Sequence, residues 1–100
     1  MSQPLFKKVA FIGLGLIGSS LARVIVAEKL ATTIVASTRS QKTLEDAKSL
    51  GLIQEGLSDP VEAVKGADLV VLALPVRATQ KVLEQIKPYL SETTIVTDVG

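Results

Sequence analysis

Along the chain, unbroken apolar runs alternate with stretches in which apolar residues recur every three or four positions. The first run, Lys7 to Ile12, has two lysines and then only apolar residues, the pattern of a central parallel strand covered on both faces. Leu16 to Lys29 has a helical period. Ile17, Leu21, Val24 and Ile25 mark its inward stripe, with Arg23, Glu28 and Lys29 toward water. Thr32 to Ser37 is rich in β-branched residues and predicts a second strand, closed by the polar turn Ser37-Thr38-Arg39-Ser40. Ser40 is placed to cap a helix from Gln41 to Leu50 that stops at Gly51 and buries Leu44, Ala47 and Leu50.

Leu52 to Leu57 is ambiguous and is read as a short edge strand. Asp59-Pro60-Val61-Glu62 carries a cap, a proline at the first helical position and a reciprocal Glu, which start a short helix ending near Gly66. Leu69 to Leu74 is a third apolar strand, broken by Pro75. Val76 to Lys87 is a helix with Thr79, Val82, Leu83 and Ile86 inward and its charges toward water, and Pro88 ends it. Thr93 to Thr97 is the last strand. Asp68 is read as a solvated residue where the third strand begins.

Strands that alternate with helices imply right-handed crossovers and a parallel sheet covered on both faces. The fold class is therefore α/β, a doubly wound parallel sheet of Rossmann type, with residues 1–100 as one domain. Ligands of such sheets bind beyond the carboxyl ends of the strands. Four stretches lie there: Gly13 to Gly18, Ser37 to Ser40, Leu74 to Val76, and Asp98 to Gly100.

Composition narrows the chemistry. The chain is 47% hydrophobic and 21% charged, enough to fold, and its net charge of +1 gives no footprint for nucleic acid. No apolar run reaches the ~20 residues that cross a bilayer, and Met1 to Lys8 lacks the order of a signal peptide, so a cytoplasmic location is the default. With no His and no Cys, a metal site on nitrogen or sulfur ligands, a thiol nucleophile and a His base are all excluded from these residues. No catalytic residue and no metal ligand is assigned.

The first strand end is the most specific feature. Gly13-Leu14-Gly15-Leu16-Ile17-Gly18 has the dinucleotide spacing, between a predicted strand and a predicted helix. Gly13 serves the tight turn, Gly15 lets backbone approach a pyrophosphate, and Gly18 lets helix and sheet pack closely. The fingerprint expects a carboxylate about 20 residues further on, to hold ribose hydroxyls. Thr38 stands there instead, and no Asp or Glu occurs from Leu30 to Leu44. Arg39, with hydroxyls at Ser37, Thr38 and Ser40, suits the 2′-phosphate of NADP, and NAD is the alternative. The backbone at Ala73, Leu74 and Pro75 is expected to line the cofactor groove. Asp98 either braces a loop or lies near the nicotinamide.

Three blocks together resemble the prephenate and arogenate (cyclohexadienyl) dehydrogenases. They are Gly13 to Arg23, Ala67 to Val76, and Ile95-Val96-Thr97-Asp98-Val99-Gly100. The resemblance implies oxidation of prephenate or arogenate with loss of carbon dioxide and hydride transfer to NAD or NADP, in tyrosine biosynthesis. It implies that Gly13 to Gly18 and the backbone at Leu74 and Pro75 bind cofactor. It places Thr38 where a ribose-binding Asp often stands, and members with a hydroxyl residue followed by Arg there tend to use NADP.

In the family the last block continues into Ser-x-Lys, a catalytic His segment and a helical dimerisation domain, none of which is present. The expectation is a cofactor domain that is inactive alone and belongs to a homodimer joined through the missing part. The alternatives are the cofactor domain of a β-hydroxyacid dehydrogenase or imine reductase, or a non-catalytic nucleotide-sensing domain.

Overall fold

The computed structural model describes residues 4–99. In chain order the elements are β1 (Phe6–Ile12), α1 (Gly15–Ala27), β2 (Ala31–Ser37), α2 (Gln41–Ser49) and β3 (Glu55–Leu57). Then come α3 (Pro60–Val64), β4 (Leu69–Leu72), α4 (Val76–Ile86), a 3-10 turn (Lys87–Tyr89) and β5 (Ile95–Asp98). The five strands form one parallel sheet in the order β3-β2-β1-β4-β5. This is the doubly wound arrangement expected from the alternation of elements, and of the ambiguous stretch Leu52 to Leu57 only Glu55–Leu57 is strand, at the sheet edge.

Successive side chains of a strand point to opposite faces, so the apolar run of β1 feeds two cores. Val9 and Phe11 face one, with Ala22 and Ile25 of α1 and Leu44 and Ala47 of α2. Ala10 and Ile12 face the other, with Ala63 and Val64 of α3 and Ile86 of α4.

Helix α1 departs from its predicted stripe. Ile25 is 3% exposed, but Ile17 is 61% and Val24 51% exposed, and the buried contact runs through Gly18, Ala22 and Ile25. The small residues face the sheet because the helix lies too close for larger ones: a Cβ on Gly18 would sit 3.0 Å from the Ala73 Cβ. In α2, Leu44 and Ala47 are buried as expected, but Leu50 is 61% exposed because the helix has ended by then.

The helix boundaries have local causes. Helix α1 stops at Ala27, short of the predicted Lys29, where the Leu30 N–H donates to the Ile25 carbonyl (2.9 Å) and the Lys29 N–H to that of Val26 (3.2 Å). That paired closure puts the residue after the cap in the left-handed region. Here that residue is Lys29, with φ of 54°. Ser40 caps α2 by accepting from the Thr43 N–H (3.2 Å), and Asp59 caps α3 by accepting from Val61 N–H (2.9 Å). Glu62 does not complete a reciprocal box: its carboxylate pairs with Lys65 one turn along, at 3.2 Å.

Strand β4 ends at Leu72 rather than Leu74, and β5 begins at Ile95 rather than Thr93. Thr93 and Thr94 belong to a hydroxyl-linked turn, with Ser91 Oγ 2.9 Å from Thr94 Oγ1, which itself donates to the Ala67 carbonyl (2.9 Å). Asp68 does more than face water. Its carboxylate accepts the Lys7 N–H, its N–H donates to the Lys8 carbonyl, and its carbonyl accepts from Ile95, so it ties β4 to both neighbours.

Ile25→Ala should cost about 2–5 kcal/mol and Ile17→Ala less than about 1 kcal/mol, read from urea midpoints. Lys29→Gly should raise stability by about 0.5–1 kcal/mol, because glycine adopts the left-handed turn without a Cβ penalty. Thermal melts of the variant check it.

Candidate functional site

The register lines up one row across the carboxyl edge of the sheet. Leu57 pairs with Ser37, Ser37 with Ile12, Ile12 with Leu72, and Leu72 with Asp98. Beyond that row the chain turns, and the turns are held by sheet-like bonds. The Gly13 N–H donates to the Ser37 carbonyl (2.7 Å), Ala73 to Ile12 (2.9 Å) and Val99 to Leu72 (2.9 Å).

Gly13 and Gly15 meet different surroundings. Gly13 has φ of 79°, and a Cβ there would lie 2.5 Å from the Ala73 carbonyl oxygen, so the loop is pressed onto the end of β4. Gly15 has φ of 55°, and a Cβ there would meet nothing within 4 Å. Its backbone therefore faces open space at the start of α1. Leu14 stands at the N-cap and supplies no side-chain bond, and no acidic residue occupies the first turn. The first N–H groups of an α-helix have no partner within the helix and carry its positive end, so this opening suits an anion.

Two hollows open at this edge of the sheet. The larger, about 460 Å³, is lined by Ser37, Thr38 and Arg39 after β2, by Ser58 and Pro60 after β3, by Ile12, Leu74 and Pro75, and by Ala78, Val82 and Gln85 of α4. The smaller, about 300 Å³, is lined by Leu14, Gly15, Leu16, Ile17 and Gly18 together with Ala73 and Val99. Consecutive residues Ala73 and Leu74 face different hollows and so form the partition between them.

Of the residues selected from sequence, Ser37, Thr38, Arg39, Leu74 and Pro75 come together in the larger hollow. Leu14 to Gly18 and Ala73 meet in the smaller one, with Gly13 beneath the partition. Ser40 and Asp98 line neither. The Ser40 hydroxyl is engaged in capping α2, and Asp98 closes β5 while the next residue, Val99, turns into the hollow. Gly100 lies outside the described residues.

Sequence reasoning passed over Ser58, Pro60, Ala78, Val82 and Gln85. Ser58 follows the strand that the pattern left ambiguous. The spacing of Ala78, Val82 and Gln85 (i, i+4, i+7) was a legible signal of a second helix face. Among the described residues there is no cluster of three or more metal-ligating side chains, and no helix long and apolar enough to cross a membrane.

Known proteins share this fold. Residues 8–100 match the family described as NADP oxidoreductase coenzyme F420-dependent. A cyclohexadienyl dehydrogenase of Zymomonas mobilis is 40% identical over 95 residues, which are 95% of this chain and 32% of that protein. The crystal structure of Synechocystis arogenate dehydrogenase superposes with a TM-score of 0.80 at 34% identity, covering 93% of this chain and 32% of that one. Prephenate dehydrogenase from A. aeolicus, solved with hydroxyphenyl propionate and NAD+, gives a TM-score of 0.82 at 26% identity, over 98% of this chain and 34% of that one. The chain thus spans about a third of the length of these relatives, and the resemblance read from its three blocks holds.

Gly13→Ala should cost about 2–5 kcal/mol, from the clash with Ala73 added to the left-handed backbone. Gly15→Ala should cost only about 1–2 kcal/mol, because its Cβ enters open space. Denaturant titration of the two variants separates them.

Proposed function

The chain belongs to the family described as NADP oxidoreductase coenzyme F420-dependent, and on that premise we propose that it is the cofactor-binding part of a prephenate or arogenate dehydrogenase. One observation carries the reading: two hollows, divided at Ala73 and Leu74, open at the carboxyl edge of the sheet, and one of them is lined by a glycine loop that opens an uncapped helix end. A dinucleotide has the matching form, two nucleoside halves joined by a pyrophosphate. The donors at the start of α1 would hold the pyrophosphate, and the missing Cβ of Gly15 makes room for it.

The hollows differ in chemistry, and this orients the ligand. Arg39, Thr38 and Ser37 make the larger one suitable for the adenosine half and its phosphate. Leu14, Leu16, Ile17, Ala73 and Val99 give the smaller one an apolar lining suited to the nicotinamide. When bound, the cofactor accepts hydride in an oxidative decarboxylation. The residues of this chain would hold it, with Ser37, Thr38 and Arg39 at one end of the site and Leu14, Leu16, Ile17, Ala73 and Val99 at the other. With no His and no Cys in the sequence, no proton-transfer step is given to them.

We favour NADP over NAD. No carboxylate lies near Thr38 in the sequence to repel a 2′-phosphate, and the Arg39 guanidinium is exposed at the rim of the hollow. A charge-assisted hydrogen bond contributes about 1.5–3 kcal/mol, or roughly tenfold or more in affinity.

Calorimetry of the chain with both cofactors tests this reading. Arg39→Ala should weaken NADP at least tenfold and leave NAD nearly unchanged, whereas Gly15→Ala should weaken both alike. Tighter binding of NAD than of NADP by the unsubstituted chain would overturn the preference.

A further inference from the structure

The wall of the larger hollow formed by α4 has no task in the reading above. Ala78, Val82 and Gln85 line the same cavity as Arg39. Ala78 and Val82 add apolar surface to that of Pro60 and Leu74, so this part of the hollow suits a flat ring rather than a phosphate. Gln85 is the only carboxamide among the lining residues. Among the described residues its side-chain amide has no hydrogen-bond partner, which leaves both its donor and its acceptor for a ligand.

We propose that Gln85 is a specificity residue that reads the purine of the bound nucleotide and selects adenine. The inference rests on the nucleotide-binding reading. A carboxamide presents a donor and an acceptor side by side. Adenine offers the complement on one edge, a 6-amino donor beside the N7 acceptor. Hypoxanthine presents two acceptors on that edge, its 6-carbonyl and N7, so one half of the amide goes unmatched. The apolar slot supplies affinity for any purine, and Gln85 supplies the choice between them. Arg39 grips the ribose phosphate and is indifferent to the base, so the two residues act on separate parts of the ligand.

The test is the ratio of affinities for NADP and for its hypoxanthine counterpart, measured by calorimetry on the full chain. The unsubstituted chain should favour NADP by about three- to tenfold, the value of one hydrogen bond. Gln85→Leu should bring the ratio to about one, by weakening NADP more than the hypoxanthine cofactor. Gln85→Lys, which can only donate, should favour the hypoxanthine cofactor. Gln85 is exposed on α4, so these variants keep the fold. A ratio in Gln85→Leu equal to that of the unsubstituted chain overturns this inference alone. Failure of the unsubstituted chain to bind either cofactor overturns the nucleotide reading as well.

Discussion

Where the glycine loop meets the end of β4, backbone lies against backbone with no room for a side chain. A Cβ on Gly13 would stand 2.5 Å from the Ala73 carbonyl, and one on Gly18 would stand 3.0 Å from the Ala73 Cβ. Atoms this close leave no volume to exchange, so the contact fixes the height and angle at which α1 leaves the sheet. The first turn of α1 then opens onto space rather than onto a neighbouring element. The partition between the two hollows is the segment just beyond β4, with Ala73 lining one hollow and Leu74 the other.

The sheet beneath supplies the stiffness that such a contact needs. Strand β1 lies between β2 and β4 and has side chains in both cores, so it is held from every direction. Asp68 adds a second fastening at the opposite end, joining β1, β4 and β5 through one residue. Strands β3 and β5 lie at the edges, and β5 carries Ile95 and Val96 partly open to water. Thus the middle of the carboxyl edge is built on the best-buried strands. Its outer walls come from helices and loops that can vary without disturbing the centre.

Much of this was legible in the residues. Element order, parallel topology and the glycine spacing follow from local patterns, because runs, caps and breakers act over a few residues. The misread positions have specific causes. Ile17 and Val24 were assigned inward on helical period, but a helix that approaches a sheet through Gly18 and Ala22 turns its larger side chains aside. Leu50 falls just after the last turn of α2, where the period no longer applies. The Thr93-Thr94 pair has strand propensity, yet hydroxyl bonds to Ser91 and Ala67 hold it in a turn. Ser40 was grouped with the ligand-facing hydroxyls, although its capping role was equally visible and is the one the structure displays.

By itself the sequence determined the order of elements, the glycine spacing between β1 and α1, and the absence of a carboxylate beside Thr38. Each of these is a property of a few neighbouring residues and survives without knowledge of the rest. Only the tertiary structure decided which face of α1 is buried and that Ala78, Val82 and Gln85 line one hollow with Arg39. Those facts depend on distances between segments some 40 residues apart along the chain, set by how closely the glycines let α1 and β4 approach and by the crossover that brings α4 over the sheet.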